Sequence, residues 1–277
     1  MSNQQQHRLF FDRQLVEGFG KLVGHFPAEQ FQSPTRSTLP LLALLKDGTC
    51  QLDSLLAEMG LDANADLHVE YQVEPGRGRG KPSHTDLKAK SPNAVVAVEA
   101  KWTEPPYENV SSWLKKGGEK PENRALVLQG WIDMIQPWAA KPILADDLGD
   151  MTYQTVHRAA SACATASASG NAKPRLAYVV FHLPGDPFQV GPESNLANLE
   201  RFYDLLGRPP EFPFFLFDVE MTPTPAFERI AGLAKGRTET AEIVRQALLN
   251  EQLFAFGYVR MVRWSSFSSG PSKSCVK

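Results

Sequence analysis

Cysteine is scarce in this chain: there are three in 277 residues, at positions 50, 163 and 275, with no CxxC pair and no even-numbered set. That speaks against a disulfide framework and against a structural zinc site, and it is what a reducing cytoplasm permits. Long apolar runs are missing too. None approaches the roughly 20 residues that a bilayer-spanning helix needs, so no membrane association is expected. The opening MSNQQQHRLF lacks the basic and apolar parts of a secretion signal, and Cys275 stands one position too late for a prenylation box. An excess of charge is likewise absent. Lys and Arg number 29 against 31 Asp and Glu, a net charge of −2, so nothing draws the whole molecule to nucleic acid and any surface for it must be local. No internal repeat is found, and the glycines at 76, 78 and 80 lack the Walker pattern and its helix start.

What is present is ordinary soluble-domain composition, 42% hydrophobic and 22% charged, in a chain long enough to bury a substantial core. One domain over 1–264 is expected, followed by a serine-rich, disordered tail at 265–277.

The informative stretch is HTDLKAKSPNAVVAVEAKW, His84 to Trp102. Side chains two apart on a strand share a face, so Glu99 and Lys101 point one way while Val96, Val98 and Ala100 point the other. A hairpin through Pro92 and Asn93 would bring Asp86 across from them. Two neighbouring carboxylates repel unless a cation neutralises them. Hard oxygen ligands suit magnesium or manganese, and a nearby lysine can orient a nucleophile. Turn aspartates and cross-strand Glu/Lys pairs are the alternative reading of the same residues.

With Asp86 followed thirteen positions on by Glu99-Ala100-Lys101, the chain resembles the PD-(D/E)xK nuclease superfamily, the restriction-endonuclease-like fold. The resemblance covers about residues 67–183 and departs from the motif's name at Thr85, where Pro would stand. It implies an α/β fold, a mixed sheet flanked by helices with an αβββαβ core and extra C-terminal elements. It further implies that Asp86, Glu99 and the Ala100 carbonyl hold Mg2+ or Mn2+, and that Lys101 serves the attacking water. The expected function is a metal-dependent endonuclease cutting DNA, of a restriction or defence type, cytoplasmic and possible as a homodimer. A non-catalytic nucleic-acid- or protein-binding member of the same fold is the alternative.

The flanking segments supply the expected elements. Residues 8–25 space their apolar side chains as an amphipathic helix, with Glu17 either solvated or an upstream acid of the site. Two short helices follow around Gly48, then a strand at 67–74. The loop PGRGRGKPSH offers Arg77, Arg79 and Lys81 either as a phosphate clamp or as a soluble hairpin tip. Pro121 to Gln136 reads as a helix stopped by Pro137, and its Gln129 is a site candidate by the resemblance. A second helix runs from Asp150 to near Gly170. Its Gln154, His157, Arg158 and Ser161 fall on one stripe, directed either to the site or to solvent. A buried strand is expected at 175–183, a helix at 195–206, a strand at 212–221, two further helices and a last alternating strand.

Overall fold

The computed structural model describes residues 7–116, 121–185 and 194–265. The expected tail, apart from Ser265, lies outside the described residues, as does Cys275. The centre is an eight-stranded mixed sheet of order β2-β1-β3-β4-β5-β6-β7-β8. Its strands are β1 (Leu9–Phe11), β2 (Gln14–Val16), β3 (Asp66–Val73), β4 (Ser83–Lys90), β5 (Ala94–Lys101), β6 (Lys173–His182), β7 (Phe214–Pro223) and β8 (Phe254–Trp264). β3, β4 and β5 form an antiparallel meander, and β5, β6 and β7 run parallel.

Helices cover both faces. On one lie α1 (Phe19–Gly24), α2 (Thr38–Asp47), α3 (Thr49–Glu58), α8 (Pro225–Ala231) and α9 (Thr238–Asn250), packed with Val96, Val98 and Ala100 into one apolar core. On the other lie α4 (Val110–Lys115), α5 (Pro121–Ile135), α6 (Tyr153–Ala168) and α7 (Asn195–Leu205), whose core takes Ala97, Leu176, Tyr178 and Val180 from the sheet. The alanines of α6, buried at 159, 160, 162 and 166, let that helix lie close on β5 and β6. Parallel strands need a crossover between them. Those crossovers are α4 to α6 between β5 and β6, and α7 between β6 and β7.

The helix expected over 8–25 is corrected to a hairpin, β1 and β2, followed by the short α1. Asp12 turns the chain at φ 50°, and β1 pairs in parallel with β3, so a distant strand captures residues whose spacing alone suits a helix. No helix among the described residues is long and apolar enough to cross a membrane.

Candidate active site

The site grows out of an interruption in the β3–β4 ladder. Pairing runs regularly to Val69↔Leu87 and resumes at Tyr71↔Thr85, with Glu70 and Asp86 left between. Glu70 stands at φ 55°, a left-handed conformation uncommon for a residue with a Cβ and costly on a strand. Leu87 and Ala89 face the first core with Val96 and Val98. Strict alternation would put Thr85 there too, yet its hydroxyl lies 2.9 Å from that of Ser161 on α6, the helix that Lys88 also reaches. The kink therefore turns the start of β4 toward α6.

Asp86 sits at the turn. The β4–β5 ladder extends only to Leu87↔Val98, and beyond it Asp86 Oδ2 accepts the Ala100 N–H at 2.8 Å. The carboxylate thus takes the place of a strand carbonyl. The N–H and C=O of one extended residue face the same neighbour, so the Ala100 carbonyl is turned toward Asp86 as well.

Glu99 projects from β5 toward α6 and meets three donors. Arg158 Nε donates to its Oε2 at 2.5 Å, Gln154 Nε2 to Oε1 at 2.6 Å, and Lys101 Nζ lies 2.9 Å from Oε1. Gln154 turns its carbonyl to Lys101 Nζ at 2.6 Å, so one amide fixes both residues. Arg158 Nη2 is 3.6 Å from Asp86 Oδ1, and its Nη1 donates to Ser83 Oγ at 3.1 Å.

These contacts set the charges. Burial opposes ionisation of Glu99, but Arg158 and Lys101 outweigh it and hold its carboxyl below the usual glutamate range. Burial and the Glu99 charge push the Asp86 carboxyl well above the usual aspartate range, against the pull of Arg158. Burial and Arg158 push His157 well below the usual histidine range, leaving a neutral ring whose Nδ1 lies 2.8 Å from Ser83 Oγ. The environment separates the two acids in the way that acid/base sites commonly do.

Beside this centre lies a cleft of about 590 Å3 between the loop before β4, α4, α5 and α6. Arg79, Lys81, Arg124 and Arg158 line it, and no carboxylate does among the described residues. Arg158 and Gln154 form its boundary with Glu99.

Of the residues singled out from the sequence, Asp86, Glu99, Lys101, Gln154 and Arg158 come together, with His157 joined through Ser83. Arg79 and Lys81 line the cleft. Arg77 and Gln129 do not reach the centre: Arg77 Nε lies 2.5 Å from Asp133, and Gln129 donates to that same carboxylate on α5. Glu17 is 84% exposed and paired with Lys21. The segment before β4 is no loose tip. Asn123 of α5 accepts from the Arg79 N–H and donates to its carbonyl, and a Cβ at Gly130 would fall 2.6 Å from the Arg77 nitrogen.

Sequence reasoning passed over Lys88. Its ammonium is fully buried and donates to the Ser161 carbonyl, Ser161 Oγ and Thr165 Oγ1 at 2.7–2.8 Å, over the Tyr71 ring. Its place two residues beyond Asp86 was the available signal. Tyr178, paired with Glu99 in register and bonded to Thr155, was hidden in an apolar run.

Fold and site together define a mixed α/β protein with a buried carboxylate–lysine–arginine centre under a basic cleft. Residues 18–213, more than two thirds of the chain, match the family model described as a domain of unknown function, DUF6946, and the chain belongs to that family. The match spans β3 to β6 and α4 to α7, and so the whole centre. No curated protein and no solved structure matches the chain.

Proposed function

We propose that this protein is a divalent-metal-dependent nuclease of the restriction-endonuclease-like kind, acting on DNA phosphodiester bonds. The observation that carries the reading is the meeting of Asp86, Glu99 and Lys101 behind a cleft lined by four cations. A basic cleft draws a phosphate backbone even in a chain of net charge −2, because local charge governs local potential.

The donor chemistry fits Mg2+ or Mn2+. Among the described residues no three His, Cys, Asp or Glu side chains gather, so the ligands would be two carboxylates, Asp86 and Glu99, with the Ala100 carbonyl. The raised Asp86 carboxyl marks a negative pair that a second cation would relieve. When bound, such an ion would supply a more acidic water and compensate the charge that develops on the phosphoryl oxygens. The chain's own residues do the rest. Lys101 Nζ, held between Glu99 and Gln154, stands where it can orient the attacking water and stabilise charge. Arg158 holds Glu99 in place and turns toward the cleft, where a phosphate would meet it.

A second reading is favoured by one contact. Arg158 already neutralises Glu99 at 2.5 Å and lies close to Asp86, as a non-catalytic, nucleic-acid-binding member of the fold would allow. Cleavage of plasmid and single-stranded DNA with Mg2+ or EDTA, together with Mn2+ calorimetry, separates the two. The nuclease reading expects Mg2+-dependent cutting that falls about 10²- to 10⁴-fold in Lys101→Ala. Intact DNA together with no Mn2+ binding sinks it and leaves the second reading.

A further inference from the structure

We infer that the cleft takes one nucleic-acid strand, a nucleotide or two at a time, and excludes an intact duplex; this rests on the phosphodiester reading above. The first argument is size. At about 590 Å3 the cleft falls in the range of pockets that enclose one drug-sized molecule, about 300–1,000 Å3. A volume of that order holds a nucleotide or two and not a stretch of two paired strands.

The walls are tied to one another. Asn123 clasps the Arg79 backbone through both amide atoms, and the chain at Gly78 lies against Val127, where a Cβ would come within 2.8 Å. α5 is joined to α6 by the Trp131 N–H donating to the Tyr153 hydroxyl at 3.0 Å. α4 is joined to α6 by the Trp113 and Tyr153 rings, stacked at 3.9 Å and 11°. Admitting a duplex would mean breaking several of these contacts together.

The lining supplies what a single strand uses, cations for the backbone and an open aromatic for a base. Arg79 and Lys81 have no carboxylate partner among the described residues, unlike Arg77, which is spent on Asp133. The Trp113 ring is covered by Tyr153 and by Arg124, whose guanidinium sits 4.9 Å from its centroid. Tyr107 is 47% exposed in the cleft and has a face to offer. On this inference phosphates rest on Arg79 and Lys81 and a base on Tyr107, which line the same cleft.

The test is fluorescence anisotropy with a labelled 12-nucleotide strand of mixed sequence, alone or annealed to its complement, on the full chain in EDTA. The single strand is expected to bind at least tenfold tighter than the duplex. Tyr107→Ala, a change at an exposed position, should weaken single-strand binding about tenfold. Lys81→Ala should lower the slope of log affinity against log salt by about 0.7. Equal or tighter duplex binding overturns the inference, as does failure to bind either form. An unchanged Tyr107→Ala overturns the stacking assignment. Cleavage is scored separately with Mg2+. A strand bound but never cut, with no Mn2+ binding, supports the inference while removing the nuclease reading. Internal cutting of duplex as fast as of single strand does the reverse.

Discussion

On one face of β5, Val96, Val98 and Ala100 pack among leucines of α2 and α3 and aromatics of β7, all but inaccessible to water. On the other face of the same eight residues stand Ala97, Glu99 and Lys101, and Glu99 is as dry as Val98, 2% exposed against 1%. Burial is equal, so hydration does not tell the faces apart. The apolar face gains free energy directly, at about 25 cal/mol for each Å2 removed from water. The polar face must first lose the hydration of its charges and recovers that loss only through well-made pairs. A chain that keeps Glu99, Arg158 and Lys88 inside the α6 face, with Asp86 half-buried at its edge, therefore bears a cost that packing alone does not explain. The nuclease reading proposed above offers a reason for it.

The largest expected effect comes from breaking the polar face at its centre. Arg158→Met leaves Glu99 buried beside Asp86 without its principal cation, and loss of one partner of a buried pair costs about 3–5 kcal/mol. Combining it with Glu99→Leu removes the orphaned charge and should return most of that loss, measured by urea denaturation. A double variant no more stable than the single one would mean the pair is not a cost at all, and the contrast between the faces would fail.

Val98→Ala probes the other face. It removes two methyl groups from a site closed on all sides, for a cost of about 2–3 kcal/mol. Cleavage per folded molecule should not change, because Val98 points away from Glu99 and Lys101. A fall in turnover beyond the loss of folded protein would show that the two faces are coupled.

The same contrast explains what the sequence made legible. Strands β3 to β6 and helices α5 and α6 stood out because period-two and period-3.6 patterns report burial, and most of the α6 face is apolar enough to show it. Asp86, Glu99 and Lys101 were legible because strand alternation and a short hairpin bring them together over fifteen positions. The polar stripe of Gln154, His157 and Arg158 was visible, but its direction was not. A stripe turned to solvent and one turned to a buried carboxylate have the same spacing, and only the packing of α6 on β5 decides. Lys88 was missed for the same reason: two residues beyond Asp86 it shares that residue's face, and spacing does not say whether the face is solvated. The kink at Glu70 left no signal, because nothing in LHVEYQVE demands a left-handed residue. Arg77 and Gln129 fell away from the centre because Gly130 lets the preceding loop lie against α5, a contact between segments some fifty residues apart.

The smallest expected effect sharpens the comparison within the polar face itself, because its two acids are perturbed in opposite directions. Asp86 is raised, so the folded state holds that proton more tightly than the unfolded chain. The stability this brings is present at low pH and is lost as pH rises through the folded-state value. Glu99 is lowered, and its contribution is present above the unfolded value and lost as pH falls through the folded one. In EDTA at pH 8, Asp86→Asn should therefore melt higher than the wild type by on the order of 1 kcal/mol, about 2–4 °C for a chain of this size. Its amide oxygen can still accept the Ala100 N–H while the repulsion from Glu99 is gone. Glu99→Gln should melt lower at the same pH; the Asp86 difference should shrink as pH falls, and the Glu99 difference only below the usual glutamate range. On the proposed nuclease reading cleavage is lost in both, so stability and activity part company at Asp86 and fall together at Glu99. Two melting shifts of the same sign would show that Arg158 serves both carboxylates alike, and the proposed role of Asp86 as the acid awaiting a second cation would fail.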